Sequence, residues 1–117
     1  MTIESTIQLP YYHVSKATFA GYIDSFVARF YKILPLKEEG EKSLPYYIES
    51  FQREMVGCAE LFPEVAQDSI FITLLSVLEY LKNNDCDVAV VKQEVFRSIQ
   101  LVKRMSNNYR RGCRRDE

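Results

Sequence analysis

Apolar residues recur at steps of three and four in four successive stretches of this chain. That spacing defines amphipathic helices, because 3.6 residues per turn bring every third and fourth side chain to one face. In the first stretch Phe19, Tyr22, Ile23, Phe26, Phe30, Ile33 and Leu34 form the stripe, while Lys16, Asp24, Arg29 and Lys32 fall on other faces. Ser15 is the expected N-cap and Pro35 the expected stop, giving a helix over 15–34. The charged segment from Leu36 to Lys42, with Gly40 inside it, reads as a solvated connection.

Ser43 caps the second helix, over 44–62, and Pro45 is tolerated in its first turn because the N–H it lacks has no intrahelical partner there. Its stripe is Leu44, Tyr47, Ile48, Phe51, Met55, Cys58 and Phe62. Gly57 costs such a helix about 1 kcal/mol relative to alanine, and with Ala59 it marks either a close helix approach or a bend. The third run, 64–82, is apolar on more than one face, broken only by Asp68, Thr73, Ser76 and Glu79, and is expected to be the most buried helix. Asp85 or Asp87 caps a fourth helix over 86–107, carried by Val88, Val91, Val95, Ile99, Val102 and Met105. The valines favour strands intrinsically, but the spacing and length of the run outweigh that preference.

Residues 1–14, without a helical period, read as an extended lead-in, and residues 108–117 as a basic tail. The 117 residues suit one domain spanning 1–117. Four helices of about 20 residues with short connections predict an all-α fold, an antiparallel four-helix bundle.

Several function classes are disfavoured. The N-terminus lacks the basic and apolar regions of a secretory leader, and the apolar stretch from Ile70 to Leu81 falls short of the roughly 20 residues that span a bilayer, so no membrane association is expected. Cys58, Cys86 and Cys113 are an odd number at wide spacing, which predicts neither disulfides nor a zinc site and fits a reducing cytoplasm. His13 is the only histidine, the carboxylates are scattered, and no glycine-rich phosphate loop is present. No catalytic residue, metal ligand or cofactor is therefore assigned, and the chain is not expected to be an enzyme. An enzymatic reading would need an enclosed polar pocket near Asp68, Thr73, Ser76 or Glu79, although Thr73 and Ser76 can bond back to their own helix. Asn83, Asp85, Asp87 and Glu94 have the ligand spacing of a calcium loop, but Val88 stands where that loop requires glycine, and helix capping explains the aspartates. Cys113 sits among arginines that favour its thiolate, making it the most reactive thiol, whereas Cys58 belongs to a core face.

Two features point to partners. The adjacent pairs Tyr11-Tyr12 and Tyr46-Tyr47 cannot bury both members when helical, since neighbours diverge by about 100°, and exposed tyrosine suits protein interfaces. The leading expectation is a non-catalytic interaction or regulatory module that uses Tyr11, Tyr12, Tyr46 and Arg53 to bind a protein partner or another copy of itself. The second feature is charge. Residues 101–117 carry six basic and two acidic residues, a net of +4, against −5 for the first hundred. Arg110, Arg111, Arg114 and Arg115 are candidate phosphate ligands, with Tyr109 beside them to stack on a base, so the alternative is a nucleic-acid-binding accessory protein.

Overall fold

The computed structural model describes residues 6–8 and 13–115, with side-chain surroundings for 19–60 and 62–111. The body is all-helical, and its helix packing is consistent with a bundle. In chain order the elements are β1 (Thr6–Gln8), β2 (His13–Ser15), α1 (Lys16–Tyr31), α2 (Ile33–Glu38), α3 (Leu44–Leu61), α4 (Pro63–Ala66), α5 (Ser69–Asn83) and α6 (Val88–Arg115). The described parts of the lead-in pair with each other, β1 antiparallel to β2 with Ile7 opposite Val14.

Helix α1 packs most extensively on α6, α3 lies on α5, and α5 and α2 also reach α6. The shared core joins Phe19, Ile23, Phe26 and Phe30 of α1 to Ile48, Phe51 and Met55 of α3, Leu74 and Leu78 of α5, and Val95, Ile99 and Val102 of α6. Phe51 meets Phe26 and Phe30 edge-on at ring-centre distances of 5.6 and 4.9 Å, with the Arg29 guanidinium 4.9 Å from its own ring centre.

Three helix boundaries correct the sequence reading. The first helix ends at Tyr31 and a new one, α2, runs straight through Pro35. Pro35 is its third residue, a position whose N–H has no intrahelical acceptor, so the ring is accommodated rather than disruptive. Helix α2 is closed by Gly40, which takes φ +66°. The Gly40 and Glu41 amides donate back to the Lys37 and Leu36 carbonyls at 3.0 Å, the paired bonds of a Schellman turn. The third run is divided into α4 and α5 because Asp68 adopts an extended backbone and its carboxylate accepts the Ile70 amide, making it an N-cap instead of a mid-helix residue.

The largest correction is at the C-terminus, where α6 continues to Arg115, so residues 108–115 of the expected tail are helical. Tyr109 packs edge-on against Phe19 at 5.0 Å, and Arg110 is held by Asp24. These tertiary anchors extend the helix past the last residue of the aliphatic stripe. Gly57 neither interrupts α3 nor admits a close neighbour: the helix is continuous, and a Cβ there would meet nothing within 4 Å.

Two substitutions read this packing in opposite directions. Phe51→Ala should lose about 3–5 kcal/mol, because its cavity opens where three aromatic rings meet. Gly57→Ala should gain about 0.5–1 kcal/mol, since it removes unfolded-state freedom without a clash. Urea denaturation of each variant measures both.

Candidate functional site

Helix α5 is apolar nearly all round, yet it has neighbours on only part of its circumference. Phe71, Leu74, Val77, Leu78 and Leu81 face the core. On the outer side Ile72 remains 52% and Tyr80 50% exposed, against the expectation that this would be the most buried helix. Ser76 stands between them, four residues from each, so Ile72, Ser76 and Tyr80 form one ridge.

A shallow groove runs along each flank of the ridge. The groove towards α3, about 500 Å³, includes Gln52, Val56, Ile72 and Leu75, and the groove towards α6, about 410 Å³, includes Ile72, Val77, Tyr80 and Val90. The serine and threonine hydroxyls on this surface are spent internally: Thr73 donates to the Ser69 carbonyl at 2.9 Å and Ser76 to the Ile72 carbonyl at 3.1 Å. Glu79 closes one rim. Hydrogen bonds from Gln52, Asn83 and Lys82 hold its carboxyl below the usual range. Glu94 and Arg97 pair at 3.4 Å on the other rim. An apolar ridge between two grooves, with the Thr73 and Ser76 hydroxyls already bonded to the helix backbone, is suited to docking against another apolar surface.

The tyrosine pair divides as neighbouring helical residues must. Tyr46 is 74% exposed. Tyr47 turns inward and donates its hydroxyl to the Arg29 carbonyl at 2.7 Å. Tyr46 and Arg53, seven residues apart, share the outward face of α3, where Arg53 pairs with Glu49 at 3.4 Å. Gln52 and Val56 lie on the flank turned to α5, so Tyr46 and Arg53 are beside the groove and not in it. Tyr11 and Tyr12 lie outside the described residues.

The arginine cluster is also divided. Arg110 donates to Asp24 at 2.6 Å and to the Ser106 hydroxyl at 2.7 Å, which occupies it internally. Arg111 is exposed, and the side chains of Arg114 and Arg115 lie outside the described residues. Tyr109 is not a free stacking platform: it packs on Phe19, and burial raises its pKa. Sequence reasoning missed Ile72, Tyr80 and Val56. For Ile72 and Tyr80 the signal is an apolar run too wide for one buried face; Val56, on α3, falls outside that run.

The remaining candidates disperse. Asn83 bonds Glu79, Asp85 pairs with Lys37 at 3.2 Å, Asp87 caps α6 through the Val90 amide, and Glu94 meets Arg97, so the calcium-loop residues do not converge. Among the described residues no group of three His, Cys, Asp or Glu side chains is placed to hold a metal ion. Burial, reinforced by nearby Glu54, pushes the Cys58 thiol up to about 11. The side chains of His13 and Cys113 lie outside the described residues. Among the described residues no helix is long and apolar enough to cross a membrane. A third cavity of about 460 Å³, between the α2–α3 and α5–α6 connections, has Ile33, Leu36 and Leu81 in its wall and Lys37 and Lys82 at its edge.

The Asp24–Arg110 contact gives a pH signature. Burial pushes Asp24 up, but hydrogen bonds from Arg110 and Ser106 and the Arg110 charge outweigh it and hold the carboxyl below its ordinary value. A depressed folded pKa stabilises the fold above the unfolded value and loses that effect as the pH falls through the folded one. Asp24→Asn should therefore be less stable than the parent at neutral pH, and the gap between their urea midpoints should close as the pH drops below the carboxylate range.

Comparison with known proteins finds no matching family model, no similar curated protein and no similar solved structure.

Proposed function

We propose that this chain is a non-catalytic helical protein–protein interaction module that self-associates through the outer face of α5. The carrying observation is the ridge of Ile72, Ser76 and Tyr80 between two apolar grooves. The ridge is symmetric about its small central residue. In an antiparallel pair of α5 helices related by a two-fold axis at Ser76, Ile72 of each copy meets Tyr80 of the other, and each ridge enters a groove. Such a contact is isologous and closed, the commonest form of homo-oligomer. Small residues at the crossing let the helices approach, and the flanking Ile and Tyr supply apolar area worth about 1.5–3 kcal/mol for a fully buried aliphatic side chain.

The same reading takes α1, α3, α5 and α6 as an up-and-down antiparallel bundle, supported by the short connections from α3 to α5 and from α5 to α6. It takes the protein as cytoplasmic, supported by the free buried thiols Cys58 and Cys86. A second reading has a different protein partner on the outward face of α3, through Tyr46 and Arg53 together with Tyr11 and Tyr12. The exposure of Tyr46 supports it.

Light scattering and sedimentation across a concentration series separate the two. Self-association through α5 predicts a concentration-dependent dimer. Ile72→Glu, which sets a charge against an apolar surface, should weaken it at least tenfold while Tyr46→Ala leaves it unchanged. A strict monomer, or a dimer lost with Tyr46→Ala and retained in Ile72→Glu, would overturn the α5 assignment. Circular dichroism confirms that each variant keeps its helices.

A further inference from the structure

Extending α6 to Arg115 changes what its charge can do. The helix contains eight basic residues and a single acidic one, Glu94, with no carboxylate again until Asp116. Arg97, Arg104 and Arg111 succeed one another at intervals of seven residues, so they fall on one line along the helix, with about 10.5 Å between neighbours. Lys103 stands beside Arg104, and Gln93, Gln100, Asn107 and Asn108 are exposed with them. The outward face is thus built from cations and side-chain amides.

Among the described residues only Arg97 of these cations is paired, with Glu94 at 3.4 Å. No ion pair among the described residues involves Lys103, Arg104 or Arg111, in contrast to Arg110, which is tied to Asp24. The helix dipole does not account for the line either. Its influence is confined to the last turn, whereas Arg97, Lys103 and Arg104 precede the end of α6 at Arg115 by eleven residues or more.

An aromatic platform adjoins the line. Phe96 is 40% exposed and meets the exposed Tyr31 of α1 edge-on at a ring-centre distance of 6.0 Å. Phe96 precedes Lys103 by seven residues and so lies on the same side of α6. Cations that neutralise phosphates, amides that donate to phosphate and sugar oxygens, and an exposed ring that accepts an unpaired base are the components of single-strand recognition. An acidic peptide would use the cations but leave the amides and the platform without a role. A duplex hides its base faces from Phe96.

We propose that the outer face of α6 binds single-stranded nucleic acid, with Lys103, Arg104 and Arg111 on the phosphates and Phe96 stacked on a base. The strand lies along α6 alone, because the first hundred residues carry a net charge of −5. The site is distinct from the α5 ridge, which it meets only at Arg97.

Fluorescence anisotropy of the full chain with labelled single strands of about 20 nucleotides, DNA and RNA, and with the matching duplex tests this. Expected is preferential binding to single strands, with a log–log salt slope of about −2 or steeper, at roughly 0.7 per neutralised phosphate. The combined Lys103→Glu, Arg104→Glu and Arg111→Glu variant, checked for retained helicity, should lose at least tenfold in affinity. Phe96→Ala should weaken single-strand binding several-fold and leave duplex binding unchanged. No binding at low salt, an unaffected triple variant, preference for duplex, or equal affinity for polyglutamate would overturn the proposal.

Discussion

The seam between α1 and α6 is the contact on which the rest of the fold depends. It is the most extensive helix pairing in the chain, and it joins the first long helix to the last. Its apolar components join Phe19, Ile23, Phe26 and Phe30 of α1 to Val95, Ile99, Val102 and Met105 of α6, with Tyr109 of α6 edge-on to Phe19. Small residues bring the backbones together: Ser106 is buried and donates its hydroxyl to the Ala20 carbonyl at 3.2 Å across the seam. Ser98 is buried on the same helix with its hydroxyl unpartnered. Leaving such a group unbonded costs about 1–3 kcal/mol, a cost the surrounding apolar packing offsets. Because the seam closes the chain end to end, α3 and α5 are layered onto a pair that is already joined.

The seam also explains which parts of the fold were legible in the sequence. The stripes of α1, α3 and α6 follow a three-and-four spacing, and these helices appear where that spacing lies. The boundaries that moved were decided by information a periodicity does not carry. Pro35 predicts a stop, but a proline in the first turn of a new helix breaks nothing. By spacing alone Asp68 is a polar residue within a helix, whereas its short carboxylate serves as a cap. At the C-terminus a signal was present, since Tyr109 follows Met105 by four residues and continues the stripe, but polar neighbours obscured it.

The site residues show a different gap. Arg110 and Arg111 are equivalent in a sequence read by composition, yet one helical step separates an arginine locked onto Asp24 from one facing solvent. Helix α5 is the sharper case. Its abundance of apolar residues was plain, and the inference of complete burial followed from it. Burial, however, needs neighbours as well as apolar side chains, and a sequence does not say how many helices will surround a given one. With α3 on one flank and α6 on the other, the outward arc holding Ile72 and Tyr80 remains uncovered.

The near-neutral charge of the chain hides the most consequential of these placements. A net −1 is a poor guide to a molecule in which a 28-residue helix holds eight of the fifteen basic residues. At 1.5 Å per residue that helix is about 42 Å long. The line from Arg97 to Arg111 spans about 21 Å of it, and acidic residues elsewhere sharpen its direction by repelling a polyanion from the other sides. Two copies joined through α5 would carry two such lines. The second would engage a strand already held by the first at a high effective concentration, provided that the strand is long enough to reach both. Self-association and polyanion binding would then be coupled through geometry, without any change of conformation in either surface.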